Sequence, residues 1–288
     1  MKRAGIVLCG GLSRRMGRPK ALLPWFGRAM IEHVVSLLED RVDERIVVTS
    51  EALPLASFAL DARIIVDRDP ARGPLAALRD GLAATGAELA FVTACDAPFL
   101  TGDHVEALFA RADADSGAAA PIAGGFVQVL SAVYPARAAR TADALLSQGI
   151  ASPAALLERI GFARIDGDAR RAPPASPAPW IGFNTPGEYL ALARHRDPGA
   201  TAIVEWDGRR CEVPIGPLGE VLERAAPRAP ESAARGVERR ARPGQGLASG
   251  QLRVGIAAVD LPPDASPDLP VGPGDVVTVR EVAATERN

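Results

Sequence analysis

The chain has 288 residues, of which 48% are hydrophobic and 24% charged, a balance typical of globular proteins with one large domain or two smaller ones. Its formal net charge of −2 provides no global field that would recruit nucleic acid or an anionic membrane, so we expect neither as a partner. The three cysteines are far apart and form no Cys/His cluster, which argues against structural zinc and a disulfide framework.

The sequence also gives no sign of a membrane segment. The apolar run at residues 4–9 is too short for the hydrophobic region of a secretory signal, and Arg14 and Arg15 follow it closely. No stretch approaches the roughly 18 apolar residues that a spanning helix needs. We therefore expect a cytoplasmic protein.

Short apolar runs alternate with helical patterns in the first part of the chain. The runs, which have the character of strands buried on both faces, are AGIVL (4–8), RIVVTS (45–50), ARIIVD (62–67) and ELAFVTACD (88–96). The helical patterns cover 29–40, 73–84 and 101–112. This alternation predicts an α/β fold with a mostly parallel sheet. Ligands bind at the carboxyl ends of such strands, where the sequence places a Gly-rich loop, Asp67 and Asp96.

The pattern changes after residue 197. Before it, we predict a strand at 127–134, helices at 136–149 and 152–161, and a helix start at Asn184-Thr185-Pro186. After it, we predict a hairpin at 201–214, a helix at 216–226, a mobile segment at 227–250 and late strands within 251–262 and 274–283. The sequence therefore predicts one domain at 1–197 and a small α+β domain at 198–288.

The loop LCGGLSRRMGRPK at 8–20 combines glycines with cations. A Gly-rich turn between a strand and a helix directs backbone N–H groups at an anion, and the helix dipole would add to the attraction. Neither the Walker A pattern nor the Rossmann glycine pattern fits the loop. Its cations nevertheless favour a polyphosphate ligand; they are Arg14, Arg15, Arg18 and Lys20.

The sequence CDAPFL at 95–100 places Asp96 at the end of a buried strand. A carboxylate there is a natural ligand for Mg²⁺, which takes one or two carboxylates together with substrate phosphates. The alternative is an aspartate that caps a helix or stabilises a turn.

Four motifs together resemble the molybdenum cofactor guanylyltransferase family, in order and spacing over roughly residues 3–195. They are the loop at 8–20, GPLAAL (73–78), CDAPFL (95–100) and NTPGEY (184–189). The resemblance implies a Rossmann-like α/β nucleotidyltransferase domain. It also implies that GMP moves from MgGTP to the terminal phosphate of molybdopterin with release of pyrophosphate, so that GTP and molybdopterin are substrates and Mg²⁺ is the cofactor.

The resemblance also implies roles for individual residues. The nucleotide would be bound by Leu8, Cys9, Gly10, Gly11, Lys20, Thr49, Asp67 and Asp96. Asp96 would hold Mg²⁺, and Asn184 would lie beside the metal and the incoming pterin phosphate. Arg15 and Lys20 would stabilise the pyrophosphate and complete the catalytic set with Asp96. No histidine base is needed, because a phosphate nucleophile is ionised at neutral pH. We therefore expect structural or exposed roles for the histidines, which are His33, His104 and His195.

Some positions depart from the family pattern. Residues 18–27 are closer to the sister cytidylyltransferases, Cys9 replaces the usual Ala, and Gly182 stands where an Asn is common. The paired Gly10-Gly11 and the CDAP sequence favour guanine. A molybdopterin cytidylyltransferase using CTP, a sugar-phosphate nucleotidyltransferase and a non-catalytic nucleotide-binding regulator remain alternatives.

The C-terminal region resembles the ubiquitin-like β-grasp sulfur carriers of molybdopterin and thiamine synthesis. Those carriers finish in Gly-Gly, whereas this sequence finishes in ATERN, so we expect no carrier chemistry. Because the transferase motifs precede residue 197, we expect a chain truncated there to keep the transfer activity. The C-terminal domain would then dock another protein of the molybdenum cofactor pathway.

Overall fold

A computed structural model describes residues 1–10, 14–53, 55, 58, 60–114, 117–167, 176–206, 209–226, 252–257, 259–262 and 265–281. The helices in these ranges are α1 (Met30–Ser36), α2 (Pro74–Ala84), α3 (Gly102–Ala114), α4 (Ala138–Ser147), α5 (Pro153–Ile160), α6 (Pro186–Arg196) and α7 (Leu218–Ala225). The strands are β1 (Arg3–Cys9), β2 (Pro24–Trp25), β3 (Arg28–Ala29), β4 (Glu44–Thr49), β5 (Arg63–Val66), β6 (Leu89–Ala94), β7 (Ala119–Ala123), β8 (Phe126–Val127), β9 (Ser131–Pro135), β10 (Ala163–Asp166), β11 (Thr201–Trp206), β12 (Arg209–Pro214), β13 (Gly216–Pro217), β14 (Leu252–Ile256), β15 (Val259–Asp260), β16 (Pro270–Val271) and β17 (Val276–Glu281). Every helix in this described part of the chain is too short or too polar to cross a membrane.

The chain folds as two compact units that do not follow the sequence division expected at residue 197. The first unit comprises Met1–Leu12 and Met30–Gly182, and the second comprises Ser13–Ala29 and Phe183–Asn288. Helix α6 belongs to the second unit because it packs against β16. Residues 13–29, which we call the cation-rich loop and which include the cations of the Gly-rich loop at 8–20, also belong to the second unit.

The first unit is built on an eight-stranded, mostly parallel sheet, which confirms the predicted α/β class. The strand order is β10-β7-β9-β6-β1-β4-β5, with β8 paired to β7. Strand β1 is parallel to both β4 and β6, and β5 is parallel to β4. Strand β9 is antiparallel to both β6 and β7, and β8 is antiparallel to β7. The carboxyl ends of β1, β4, β5 and β6 therefore meet at one edge of the sheet.

Apolar strands covered on both faces form the core of this unit, but the expected burial of β5 is wrong, because this edge strand leaves Ile64 and Val66 exposed. Ile6 and Leu8 of β1 belong to one buried cluster with residues of α2, α4 and α5. Side chains alternate between the two faces of a strand, so Phe91 points away from its neighbour Val92, which belongs to that cluster. Phe91 instead contacts His104 of α3, with 6.3 Å between the ring centroids. Helices on both faces give the sheet its Rossmann-like character.

Two sequence expectations are wrong in detail. No helix follows the Gly-rich loop directly, because 3-10 turns at Arg14–Met16 and Lys20–Leu22 and the hairpin β2–β3 precede α1. Pro19 disfavours helical geometry at the residue before it, and the positive φ of Gly17 interrupts any helix, so the described residues 14–29 contain no α-helix. The strand expected at 127–134 is broken between β8 and β9, where the Ser131 N–H donates to the Gln128 carbonyl at 3.0 Å.

The second unit contains a five-stranded sheet with the order β12-β11-β17-β14-β15. Strands β11 and β17 are parallel, and the other neighbouring pairs are antiparallel. Alternate residues of β11 are buried, ending at Trp206, and α7 packs against β11 and β12. The predicted hairpin, helix and late strands are confirmed. The predicted mobile segment at 227–250 lies outside the described residues, and the β-grasp resemblance and docking role stay predictions.

Candidate active site

The predicted nucleotide residues of the first unit gather at the carboxyl edge of its sheet. Cys9 at the end of β1 is aligned with Thr49 at the end of β4, and Thr49 is aligned with Val66 at the end of β5. Leu8 is aligned with Ala94, the last residue of β6. Gly10, Asp67 and Asp96 follow these strands within two residues and therefore share this edge, as predicted.

The glycine loop is described only in part. Gly10 is exposed, and a Cβ atom at this position would meet no atom within 4 Å. Leu8, Cys9 and Thr49 are buried, so their side chains pack into the edge of the core. Gly11 lies outside the described residues, and its assignment to the nucleotide site stays a prediction.

Asp67 is a buried carboxylate held in a tight turn. Its Oδ1 accepts the Asp69 N–H at 2.9 Å, and its own N–H donates to the Thr49 carbonyl at 2.7 Å. Only 6% of its surface is exposed. Burial raises the pKa of Asp67 above its ordinary value, and the nearby Asp80 carboxylate adds to the rise.

A charged network beside this turn was missed from the sequence. Asp80 of α2 accepts the Arg68 N–H at 2.9 Å and the Arg79 Nε–H at 2.9 Å. Arg79 also pairs with Asp69 at 3.0 Å, which links the helix to the turn after Asp67. Burial acts to raise the pKa of Asp80, but the hydrogen bonds from both arginines outweigh it and lower that pKa. In the sequence, this network could have been recognised from the adjacent Arg79 and Asp80 within the otherwise apolar helical pattern GPLAALRDGLAA (73–84).

Asp96 lies in a loop that neighbouring elements hold from two sides. It is half-buried, two residues after the end of β6. His33 of α1 hydrogen-bonds through Nε2 to the Pro98 carbonyl at 2.9 Å, which fixes the loop after Asp96 and gives His33 the expected structural role. A Cβ atom on Gly182 would lie 3.1 Å from Asp96 Oδ1. Because position 182 carries Gly where the family pattern commonly has Asn, the backbone of residue 182 lies close to the Asp96 carboxylate.

Two thiols complete the buried part of this edge. Cys9 and Cys95 are both buried, and the Cys95 N–H donates to the Leu8 carbonyl at 3.1 Å. Burial raises the pKa of the Cys9 thiol well above its ordinary value, and the hydrogen bond to Cys95 and the charge of Asp96 act in the same direction. A neutral buried thiol suits packing rather than nucleophilic chemistry.

The second unit brings together two predicted residues from distant parts of the sequence. Lys20 donates through Nζ to Asn184 Oδ1 at 3.0 Å, and the same Nζ lies 5.5 Å from the centroid of the Phe183 ring. Asn184 directly precedes Thr185, the N-cap residue of α6, which forms a capping box with Glu188. Arg15 is exposed in the first 3-10 turn.

Comparison with known proteins identifies the family. The family described as "MobA-like NTP transferase domain" matches residues 5–162, which is more than half of the chain. The chain belongs to the MobA-like NTP transferase family. It is thus a nucleotidyltransferase enzyme, and the sheet described above carries the family fold.

Three MobA-like relatives illustrate the similarity. A probable molybdenum cofactor guanylyltransferase from Bacillus mycoides is 31% identical over 193 residues, which cover 66% of this chain and 94% of that protein. A probable molybdenum cofactor guanylyltransferase from Mycobacterium bovis is 38% identical over 168 residues, covering 56% of this chain and 82% of that protein. The crystal structure of molybdopterin-guanine dinucleotide biosynthesis protein A from Archaeoglobus fulgidus superposes with a TM-score of 0.57 at 25% identity, covering 66% of this chain and 96% of that one.

Proposed function

We propose that the enzyme acts in molybdenum cofactor biosynthesis and transfers GMP from GTP to the terminal phosphate of molybdopterin, releasing pyrophosphate. The observation that carries this proposal is the alignment with a probable molybdenum cofactor guanylyltransferase across 94% of that protein's length. The paired Gly10-Gly11 and the CDAP sequence at 95–98 support guanine as the base.

The carboxyl edge of the first sheet is the proposed nucleotide site. Leu8, Cys9, Gly10, Gly11 and Thr49 would supply its floor and backbone groups. Asp67 suits a fixed acceptor, because the Asp69 N–H and the buried turn restrict its movement. We propose that its second oxygen accepts an N–H or O–H of the nucleotide.

The transfer needs positioning and charge neutralisation rather than a covalent intermediate with the protein. A terminal phosphate oxygen of the pterin attacks the α-phosphorus of GTP in line. The bond from this phosphorus to the oxygen that bridges to the β-phosphate breaks, and its electron pair leaves with pyrophosphate. Lys20 and Arg15 would stabilise the charge on the departing group. The attacking phosphate is already ionised, which agrees with structural roles for His33 and for His104, whose Nε2 lies 2.8 Å from Ser131 Oγ.

Asp96 is the residue that we propose as the Mg²⁺ ligand, with Asn184 on the side of the pterin phosphate or a second metal. The described residues contain no group of three or more His, Cys, Asp or Glu side chains that could hold a metal ion. A single carboxylate fits Mg²⁺, because this ion usually completes its coordination with water and substrate phosphates. When bound, it would supply Lewis-acid neutralisation of phosphate charge.

Competition between nucleotides tests the proposal. The second candidate is CTP, because residues 18–27 resemble the cytidylyltransferases. Purified enzyme would receive molybdopterin, Mg²⁺ and equal concentrations of GTP, CTP and ATP, and the dinucleotide products would be separated by mass. We expect the guanine dinucleotide to dominate. A dominant cytosine product would overturn the base assignment, and no dinucleotide from any nucleotide would overturn the transfer reaction.

A further inference from the structure

The cation-rich loop is attached to a short C-terminal segment, residues 269–275, which we call the anchor segment. Arg18 donates through both terminal nitrogens to the Asp275 carboxylate, at 2.6 and 3.1 Å. The same guanidinium donates to the Pro270 carbonyl at 3.0 Å. This two-point geometry fixes both the position and the orientation of the arginine, because the planar fork matches a carboxylate.

Asp275 is itself held rigidly. Its side chain is only 2% exposed, and its Oδ2 also accepts the Gly272 N–H at 2.9 Å. Its own N–H donates to the Gly272 carbonyl at 3.1 Å, which closes a tight turn. Asp275 directly precedes β17, the central strand of the five-stranded sheet. The carboxylate that binds Arg18 is therefore connected to the most constrained part of that sheet.

A packing contact and a hydrogen bond also hold the same loop. Gly17 has a φ of +64°, and a Cβ atom there would lie 2.3 Å from Leu269 Cδ2, so a larger residue would be strained and would displace the Leu269 side chain. Tyr189 of α6 donates its hydroxyl to the Pro24 carbonyl. A Cβ atom on Gly272 would lie 1.9 Å from the Tyr189 hydroxyl oxygen, so the anchor segment packs directly on this tyrosine.

Because the loop is short and hydrogen-bonded, fixing Arg18 also restricts the backbone of Lys20. Only Pro19 separates Arg18 from Lys20, and two residues span at most about 7 Å. Pro19 has a φ of −59°, and its carbonyl accepts the Leu22 N–H at 3.1 Å. The Lys20 carbonyl then accepts the Leu23 N–H at 3.2 Å. Few freely rotating bonds remain between the Arg18–Asp275 pair and the backbone of Lys20.

We propose that Asp275 and Arg18 are positioning residues for Lys20, and that the C-terminal sheet is therefore part of the transferase rather than a separable docking module. This inference rests on the proposed function, in which Lys20 binds the phosphates of GTP. It reverses the expectation that a chain truncated near residue 197 keeps the activity, because that chain would lack Asp275 and the rest of the anchor segment.

Asp275→Asn in the full-length chain is the main test, since it keeps the size of the side chain and removes its charge. We expect affinity for GTP to fall about 10-fold, the loss expected for a hydrogen-bonded charge, with affinity for guanosine unchanged. Amide hydrogen exchange in residues 14–23 should accelerate, whether or not a nucleotide is present. A general loss of folding would not separate GTP from guanosine in this way.

Arg18→Met covers the case in which Asp275→Asn does not fold, because the Arg18 side chain is less buried, at 16% exposure. We expect the same selective loss of triphosphate affinity and the same faster exchange. Glu205→Gln is the matched control: it breaks another ion pair of the second unit, that of Arg210 with Glu205 at 2.7 Å, and should change neither measurement.

The outcomes separate the inference from the proposed function. If folded Asp275→Asn binds GTP as tightly as the parent chain, or more tightly because a released Arg18 reaches the phosphates, the positioning role is wrong even if GMP transfer is found. If the parent chain transfers no nucleotide but both variants show faster exchange in residues 14–23, the proposed function fails and the attachment of the loop stands.

Discussion

Gly182→Ala should slow nucleotidyl transfer through its effect on Asp96. The added Cβ atom would lie 3.1 Å from Asp96 Oδ1 and 3.2 Å from the Asp96 backbone carbonyl oxygen. Ordinary contacts of a Cβ atom begin near 3.4 Å, so the neighbour must move by a few tenths of an ångström. The side chain could rotate away, but the carbonyl moves only with the loop.

The size of the effect follows from that displacement. A misplacement of about 1 Å can cost about 100-fold in rate, so a shift of a few tenths of an ångström should cost about 4-fold in kcat. Overpacking of a tight site should lower the free energy of unfolding by about 1 kcal/mol. The half-saturating concentration of Mg²⁺ should rise, because Asp96 is the proposed ligand of this ion.

Both kcat and the half-saturating Mg²⁺ concentration can be measured from pyrophosphate release at saturating GTP and molybdopterin over a range of Mg²⁺ concentrations. Gly86→Ala is the matched control, because a Cβ atom on this glycine of the same unit meets nothing within 4 Å. Asp96→Asn sets the lower limit, and it should remove nearly all activity from a folded protein. A folded Gly182→Ala enzyme with unchanged kcat and unchanged Mg²⁺ dependence would refute a close coupling between residue 182 and the Asp96 carboxylate.

Three further predictions concern single side chains. Lys20→Met should lower the affinity for GTP by about 10-fold or more and leave the affinity for guanosine unchanged. An equal loss of affinity for both ligands in a binding titration would contradict a phosphate role. Asp80→Asn should lower the free energy of unfolding by about 3 kcal/mol at neutral pH, because it disrupts a buried ion pair. The folded-state pKa of Asp80 is lowered, so its contribution is present above the unfolded pKa of about 3.9 and is lost as pH falls through the folded value. Denaturant titrations should therefore show the two proteins converging below about pH 4, and a constant difference would count against the pair. Iodoacetamide at pH 8 should label half-exposed Cys211 well before Cys9, because burial raises the pKa of the Cys9 thiol; similar labelling rates, followed by mass spectrometry, would refute this.

The strands and helices of the first unit were predictable because each element carries its own local signal. Continuous apolar runs marked β1 and β6 as strands buried on both faces, and the parallel order of β1, β4, β5 and β6 placed Asp67 and Asp96 at one edge of the sheet. The capping box at Thr185 was similarly local, since its partner Glu188 lies three residues away. Each of these elements could be predicted because its apolar run or capping pattern lies within a few residues of the element itself.

The contacts that hold the cation-rich loop were not predictable in the same way. The hydrogen bond between Lys20 and Asn184 joins residues 164 positions apart, and the pair of Arg18 with Asp275 spans 257 positions. Asp275 follows Gly-Pro-Gly, where an aspartate ordinarily indicates a turn, and nothing nearby in the sequence distinguishes a turn aspartate from the partner of a distant arginine. Such pairs depend on how complete elements pack, which local periodicity does not encode.

The absence of an α-helix from the described residues 14–29 explains why this part of the loop needs distant support. A helix would have fixed Lys20 through its own backbone hydrogen bonds. In the described residues 14–29, the regular structure consists of two 3-10 turns of three residues and a hairpin with two residues in each strand. Elements this short are marginal alone, because each hydrogen bond formed has to offset the conformational entropy of the residues that it orders. Contacts with the anchor segment offset part of that cost, since Asp275 and Leu269 are already ordered by the C-terminal sheet and its turns. On this reasoning, a substitution in residues 269–275 should behave in binding experiments like a substitution in the loop itself.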